Sequence, residues 1–391
     1  MKRIFAILFA AMLASQAWAD GFDFSAESEN GQTIYYHIIG TNEVETTYPG
    51  NQGTYPYYYN EYPRPTGNLI IPETVSYNGT TYSVTSIGWC AFNGCGDLTS
   101  VTIPNTVKEI GGYAFRGTGL TSVTIPASVK SIGLGSFDNN LSLTEIVVAE
   151  GNTEYASVNG VLYNKNLSLL KCYPGGIEGE FSIPNTVTEI EGYAFCGCSK
   201  LTSVNIPNSV KSIGYAAFSG CTSLTSITIP ASVENIEDEF SECSSLTDIY
   251  VETNSQYFSS ENGVLFNKDK TILKRCPTNK TGDYAIPESV KIIGSYAFYG
   301  CRSLTSITIP ESVTNIGSYA FMNSSVTYNE YDNAYYLPSG DNQYFALIEV
   351  KSWDNISSCT INSSCKIIAG GVFNGCRNLT SVEIPESVIS I

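Results

Sequence analysis

Thiols are the reactive groups that this chain repeats most regularly. Six of its twelve cysteines lie three residues after a recurring phenylalanine: Cys95, Cys198, Cys221, Cys243, Cys301 and Cys376. Thr118 and Asn140 occupy the same position in two other copies. A position that accepts Cys, Thr or Asn is typical of a buried small side chain that bonds the backbone of a turn. We therefore expect a ladder of unpaired thiols here rather than disulfides.

The other six cysteines follow no such register: Cys90, Cys172, Cys196, Cys276, Cys359 and Cys365. Pairing among them stays open, because an exported chain permits disulfides. A zinc site would need histidine or acidic ligands at matched spacing beside the thiols, and His37 is the only histidine. The sequence therefore predicts no metal and no cofactor.

The single histidine also removes the common nucleophilic arrangements, Ser-His-Asp and Cys-His, from consideration. The chain contains no G-x-S-x-G, G-x-G-x-x-G or phosphate-loop string. Its densest acidic cluster comprises Glu234, residues 237–239 and Glu242. Such a cluster more often solvates a turn or meets a basic partner than catalyses a reaction. We predict that the protein is not an enzyme.

The phenylalanine that marks the cysteine register defines a repeat. It occurs at Phe92, Phe115, Phe137, Phe195, Phe218, Phe240, Phe298, Phe321 and Phe373, in steps of 22 or 23 residues with longer steps of 58, 58 and 52. A period of 22–23 residues falls within the range of leucine-rich repeats. Each longer step is one unit plus an insertion.

The unit that runs from Leu224 to Phe240 shows how one repeat folds. Its L-x-x-I-x-I segment alternates and is β-branched, so we predict a short strand with Thr225, Ser226 and Thr228 facing out. Pro230 ends that strand because it lacks an N–H. A V-x-x-I segment and a turn complete the coil. One unit cannot bury enough apolar surface alone, so stacked copies predict a β-rich repeat solenoid with short strands and irregular turns.

The repeated string L-T-S-[IV]-T-I-P-x-S-V-x-x-I-G-x-x-A-F-x-x-C resembles the BspA-like class of bacterial leucine-rich repeats. The interruptions N-G-V-L-Y-N from Asn159 and N-G-V-L-F-N from Asn262 resemble that class as well. The match covers roughly Ile71 to Ile391. The resemblance implies a secreted or surface protein, adhesive in the best-known members, without catalytic residues.

The N-terminus predicts export. Residues 1–19 combine Lys2 and Arg3, an apolar run and small residues before Ala19, which is typical of a cleaved signal peptide. No later stretch approaches the ~20 apolar residues of a membrane-spanning helix. The net charge of −17 argues against binding to nucleic acid or anionic lipid. We expect a secreted or outer-surface protein.

The two ends of the repeat array differ from its middle. Residues 20–68 are rich in tyrosine, and we predict an N-terminal β cap; a sugar-stacking surface is the alternative. The solenoid is predicted over residues 69–391. Ile391 ends a unit that lacks its turn, so we expect an uncapped apolar rung; either the reading frame is incomplete or another chain covers this end.

Three insertions are predicted, at about 149–182, 252–285 and 326–360. Corresponding residues of the first two lie 103 apart. All three follow the strand segment of their unit, so we expect hairpins that project from one edge of the solenoid, where binding variation often lies. The alternative is that they only pack on the next rung.

Two functions are compatible with this organisation. The first is non-catalytic, adhesin-like recognition of a host or bacterial macromolecule, through the repeat face and the edge insertions. The second is an accessory glycan-binding or glycan-processing role, in which insertion aromatics such as Tyr344 stack on sugars. The expected partner is an extracellular protein or glycan. The candidate ligand-binding residues are Thr225, Ser226, Thr228, Thr305, Ser306, Thr308, Tyr163 and Phe266.

Overall fold

The computed structural model describes residues 21–50, 62–236, 240–352 and 354–391. The predicted signal peptide, four tyrosines of the predicted cap (Tyr55, Tyr57, Tyr58 and Tyr59) and the acidic residues 237–239 lie outside the described residues. Within them the chain is a β-solenoid of about 13 turns, built from short strands without a helix. The predicted fold class is confirmed.

The chain forms two compact units with the same repeat architecture. The first comprises the described part of Met1–Gly179 together with Thr186–Leu201 and Ile213–Phe218. The second comprises the described part of Glu180–Asn185, Thr202–Ser212 and Ser219–Ile391. In the parts of the chain listed above, no helix is long and apolar enough to cross a lipid bilayer.

The L-T-S-x-T-I segments form short strands that we call the strand face. Their pairing is parallel, and leucine and isoleucine side chains point inward while Thr and Ser point outward. The strands are β4 (Gly67–Ile70), β7 (Leu98–Thr102), β9 (Ser122–Ile125), β11 (Glu145–Val148), β15 (Gly179–Ser182), β17 (Leu201–Asn205), β19 (Ser226–Ile229), β21 (Asp248–Val251), β25 (Gly282–Ala285), β27 (Leu304–Thr308), β32 (Ser358–Thr360) and β34 (Ser381–Glu383).

The V-x-x-I segments form a second row of two-residue strands. Each contributes its isoleucine to the core, as at Ile110 and Ile293. The row comprises β8 (Glu109–Ile110), β10 (Ser131–Ile132), β16 (Glu189–Ile190), β18 (Ser212–Ile213), β20 (Asn235–Ile236), β26 (Ile292–Ile293), β28 (Asn315–Ile316) and β33 (Ile367–Ile368).

The turns between the two rows stack their phenylalanines. Phe115 lies 5.3 Å from Phe92 and 5.5 Å from Phe137, with nearly parallel rings. The residue three positions later bonds the turn backbone, as the sequence predicts. Asn140 Nδ2 donates to the carbonyls of Phe115 and Phe137, at 2.9 and 3.1 Å. The Cys198 thiol bonds a turn carbonyl in the same way.

The N-terminal strands extend the sheet of the first rung, where the sequence predicts a cap. β3 (Glu43–Thr47) pairs in parallel with β6 (Thr80–Ile87), and Phe24 and Ile34 are buried while Ile39 is exposed. Asn78 and Gly79 form a two-residue hairpin turn, with φ of +50° and +80°. The strands are β1 (Phe24–Glu27), β2 (Thr33–Gly40), β3 (Glu43–Thr47), β5 (Thr74–Tyr77) and β6 (Thr80–Ile87).

The insertions do not project as free hairpins, which corrects the expectation that they extend from one edge of the solenoid. Their last strand pairs in parallel with a two-residue strand of the next rung, and its leucine is buried, at Leu170, Leu273 and Leu347. They therefore act as extra rungs, as the alternative interpretation proposed. Their strands are β12 (Tyr155–Val158), β13 (Val161–Asn164), β14 (Leu169–Cys172), β22 (Phe258–Glu261), β23 (Val264–Asn267), β24 (Ile272–Arg275), β29 (Asn329–Tyr331), β30 (Ala334–Ser339) and β31 (Asn342–Val350).

The last described unit carries exposed apolar side chains. They are Ile384, Ile389 and Ile391.

Candidate functional site

The six predicted hydroxyl residues are exposed on the strand face in two clusters. The first lies on β27, where Thr305, Ser306 and Thr308 point outward. Thr305 Oγ1 and Ser306 Oγ both donate to Asp283 Oδ1 on the neighbouring β25, each at 2.6 Å. Hydrogen bonds from Ser306 and Thr305 lower the pKa of Asp283, so this carboxylate remains ionised at neutral pH. The cluster presents an ordered anionic acceptor flanked by hydroxyls.

The second hydroxyl cluster lies at β19, where Ser226, Thr228 and the preceding Thr225 are exposed. Ser226 is paired with Asp248, and Thr228 is paired with Tyr250, whose ring is about half exposed. Here too, hydroxyls stand beside a carboxylate, with one aromatic ring added. The prediction that these side chains face outward is confirmed, whereas their role in binding remains a prediction.

The two predicted insertion aromatics are not on the surface. Tyr163 is 1% exposed and Phe266 is 0% exposed, because each lies on the middle strand of its insertion and packs into the core. This placement corrects their assignment as ligand-binding residues, since a buried ring has no free face for a ligand. Tyr344 is half-buried against the rings of Tyr331 and Tyr336, at 5.7 and 5.6 Å.

An exposed aromatic and apolar strip in the first unit was missed by the sequence analysis. Trp89, Leu134 and Tyr215 all lie three residues before the repeat phenylalanine, and they are 52%, 43% and 45% exposed. Glycines occupy the same register in alternating copies, and the neighbouring side chain covers each one. Trp89 Cδ1 lies 3.4 Å from the Cβ position of Gly112, and Leu134 Cδ1 lies 3.5 Å from that of Gly192.

Two tyrosines widen this strip by one position. The Tyr193 ring lies 5.4 Å from the Tyr113 ring and 5.7 Å from the Tyr215 ring, in edge-to-face contacts. We call Trp89, Tyr113, Leu134, Tyr193 and Tyr215 the aromatic strip. The signal that could have identified it is the alternation of large apolar residues with glycine at one register of the turn.

A buried polar cluster lies beneath the strip. Asp138, whose side chain is 1% exposed, has Oδ2 3.3 Å from Arg116 Nε. Burial raises the pKa of Asp138 to about 7, although Arg116 and the Cys196 thiol oppose this effect. Lys171 Nζ donates to Glu191 Oε1 at 2.5 Å. The enclosed cavity holds only about 10 Å³, which is far below the ~300 Å³ of a small-molecule site, so this cluster has no room for a substrate.

Thiols and metal ligands give no further site in the described part of the chain. All twelve cysteines lie there, and none of them is in a disulfide. Burial raises the pKa of the Cys95 and Cys243 thiols to about 12, so these ladder cysteines are poor nucleophiles. Among the described residues, no three His, Cys, Asp or Glu side chains are grouped as metal ligands.

Comparison with solved structures finds similar bacterial repeat proteins. A leucine rich cell surface protein from Faecalibacterium prausnitzii is 24% identical, over 93% of this chain and 89% of that chain, with a TM-score of 0.45. A leucine-rich repeat protein from Bacteroides ovatus is 21% identical, over 95% and 90% of the two chains, with a TM-score of 0.37. A search of curated proteins gave no significant match.

The family comparison covers most of the chain. The model described as BspA type Leucine rich repeat region matches in six copies, over residues 74–174, 177–268 and 270–391. These ranges contain both hydroxyl clusters, the aromatic strip and the strands of all three insertions. The chain therefore belongs to the BspA-type leucine-rich repeat family.

Proposed function

We propose that this protein is secreted or held at the cell surface and binds an extracellular macromolecule without catalysis, in an adhesin-like role. Family membership and the sequence of residues 1–19 support the location. The observation that carries the binding role is the hydroxyl cluster on β27, in which Asp283 fixes the Thr305 and Ser306 hydroxyls. A polypeptide partner fits this surface best.

The physical argument rests on preorganisation. Stacked strands place their outward side chains at intervals of ~4.8 Å. This is also the distance at which an extended peptide pairs with a neighbouring strand. Hydroxyl groups both donate and accept hydrogen bonds, and they lose little solvation energy on contact compared with charged groups. Because Asp283 already orders two of these hydroxyls, less side-chain entropy is lost when a partner binds.

The mature chain should first be screened against extracellular matrix proteins and polysaccharides. For the partner so identified, we expect the double variant Thr305→Lys with Thr308→Lys to lose at least ~tenfold in affinity, because two long cations would cover the hydroxyl row. Surface plasmon resonance gives the dissociation constants. Circular dichroism verifies that the variant keeps its strand content, since both positions are exposed.

The matched control is Thr314→Lys with Asn315→Lys, which adds the same charge at exposed positions of the same repeat. We expect less than a twofold change for this variant. Equal loss in both variants would show a general charge effect and not a binding surface. If neither variant changes the affinity, the hydroxyl cluster is not the contact.

A second function, recognition of a glycan, is favoured by the aromatic strip. Exposed tryptophan and tyrosine rings stack on the apolar faces of sugars, and the strip carries Trp89 and Tyr215 within one unit. The glycines between them let the neighbouring side chains lie close to the backbone. This surface is separate from the hydroxyl cluster, so the two functions have different tests.

For a polysaccharide identified in the same screen, we expect Trp89→Ala with Tyr215→Ala to weaken binding by at least ~tenfold. Affinity electrophoresis in gels that contain the polysaccharide measures the effect. Tyr257→Ala is the control, because Tyr257 is a comparably exposed tyrosine outside the strip and outside both hydroxyl clusters. Retained binding by the strip variant would exclude the strip as the glycan site.

A further inference from the structure

Each insertion rejoins the repeat at a junction of the same register. The strand that ends the insertion pairs in parallel with the next two-residue strand through a leucine: Leu170 with Ile190, Leu273 with Ile293 and Leu347 with Ile368. This shared register allows the three junctions to be compared residue by residue. We call them the first, second and third junctions.

The first junction is filled. Asp138, from the rung before the insertion, lines the same space as Lys171 of the insertion and Glu191 and Tyr193 of the next rung. The remaining cavity of about 10 Å³ is no larger than the ~10–15 Å³ that one water requires. Two ion pairs and a tyrosine ring occupy the space between the rungs.

The second junction is filled by one buried side chain. The guanidinium of Arg275 donates through Nη2 to the carbonyls of Phe240 and Tyr299, at 3.1 and 3.3 Å, and through Nη1 to the carbonyl of Tyr296. Arg275 is buried, although arginine rarely is unless it is paired in this way. Its length bridges the rungs that the insertion separates.

The third junction is open. It carries apolar or smaller residues where the first has large polar ones: Met322 for Asp138, Ile348 for Lys171, Ala369 for Glu191 and Gly371 for Tyr193. A cavity of about 320 Å³ results. That volume is about twice the ~150 Å³ of an engineered apolar cavity that binds benzene.

One wall of this cavity is the end of a tyrosine stack. The rings of Tyr296 and Tyr319 lie 5.5 Å apart at an angle of 29°. The next residue at this register is Gly371, whose Cβ position would lie 3.9 Å from Tyr319 Cζ. Tyr319 therefore presents a ring face to the cavity, at the point where a third ring would continue the stack.

We propose that the third junction is a binding site for one aromatic ring, which stacks on Tyr319 against the apolar side chains of Met322, Ile348 and Val350. Glu349 lies at the rim, where its carboxylate can accept a hydrogen bond from a phenol. A small aromatic compound or a tyrosine side chain of a polypeptide supplies the same chemistry. This site is distinct from the hydroxyl cluster and does not depend on the proposed function.

The decisive variant is Gly371→Tyr, which places in the third junction the ring that fills the first. The backbone already permits it, because Gly371 has φ of +75° and Tyr193, Tyr296 and Tyr319 adopt +56° to +63° at the same register. Isothermal titration with 4-methylphenol measures binding to the mature protein. We expect the variant to lose at least ~tenfold in affinity while its melting temperature stays the same or rises.

Gly371→Ala is the matched control, because alanine must adopt the same positive φ as tyrosine but adds no ring. We expect it to bind 4-methylphenol within ~twofold of the parent. 4-Methylcyclohexanol, which has similar size but no aromatic ring, should bind more weakly than 4-methylphenol. A capped Gly-Tyr-Gly peptide distinguishes the sources of the ring. Tighter binding of the peptide than of 4-methylphenol assigns the site to polypeptides, and the reverse assigns it to free compounds.

Failure of both 4-methylphenol and the peptide to bind the parent protein would overturn the proposal. So would unchanged affinity in a folded Gly371→Tyr variant. If that variant does not fold, Val350→Phe fills the same cavity from the position that Tyr173 holds in the first junction, and it must reduce binding likewise. The variant Thr305→Lys with Thr308→Lys should retain 4-methylphenol binding, so failure here is distinguishable from failure of the strand-face proposal.

Discussion

Phe218→Ala is expected to destabilise the protein by ~3–5 kcal/mol, because it opens a cavity in a rigid column. Phe218 is fully buried, and its ring lies 4.8 Å from the Phe195 ring at an interplanar angle of 13°. The column consists of residues held by backbone hydrogen bonds between rungs, so it cannot collapse to fill the space. Guanidinium denaturation followed by circular dichroism gives the free energy of unfolding.

Phe373→Ala is the comparison for this experiment. Phe373 has the same register but is only partly buried, so its truncation removes less apolar surface and leaves a smaller cavity. We expect less than half of the loss seen at Phe218. An unchanged free energy of unfolding for Phe218→Ala would mean that the column does not hold the rungs together.

Asp138→Asn is expected to remove a pH dependence of stability worth ~4 kcal/mol. Burial raises the pKa of Asp138 from 3.8 to about 7 in the folded protein, while the Arg116 ion pair and the Cys196 thiol act against this rise. The folded state therefore binds the proton more tightly than the unfolded state does. The resulting stability is fully present below pH ~4 and is lost as the pH rises to ~7.

Urea denaturation of parent and variant between pH 4 and pH 8 measures this effect. The variant should gain stability relative to the parent as the pH rises through that range, since all other titrating groups are common to both proteins. Asp283→Asn is the control, because hydrogen bonds lower the pKa of Asp283 below its ordinary 3.8, so Asp283 titrates below this range and the variant should run nearly parallel to the parent. Parallel pH profiles for the parent and Asp138→Asn would show that the carboxyl group is not buried in this way.

The repeat itself could be predicted from the sequence because each of its positions recurs. The outward Thr225 and inward Ile227 follow from alternation, Pro230 ends its strand, and the Phe and Cys columns follow from their fixed spacing. A chemical requirement that recurs in many copies leaves a pattern that can be read without coordinates. The exposure of the candidate hydroxyls on the strand face was predictable for the same reason.

The insertions were less predictable because their role depends on a pairing between distant segments. Nothing in G-V-L-Y-N states that Leu170 pairs with Ile190, or that Tyr163, opposite Leu170 on the neighbouring strand, is buried. The polar junction around Asp138 likewise forms only where three segments meet. Side chains that act across such junctions occur once each, so no periodic signal identifies them.

The aromatic strip lies between these two cases. Its residues share one register with the glycines Gly112 and Gly192, so the positions were available from the sequence. The sequence does not show whether these side chains are exposed. Trp89 and Tyr215 in a turn of an apolar repeat are as compatible with burial as with contact to a ligand. The distinction depends on which side of the turn faces solvent.

The first two insertions share their strand register as well as their sequence motif, which bears on how the gene can change in length. Tyr155 pairs with Asn164 and Phe258 with Asn267, so the hairpin register repeats after 103 residues, as does the parallel pairing that follows it. Recombination between the two copies would delete or duplicate 103 residues in frame. Every strand of the product would still pair with a neighbour in the register that the present chain shows. The length of this chain can therefore change by unequal crossing-over without a new packing interface.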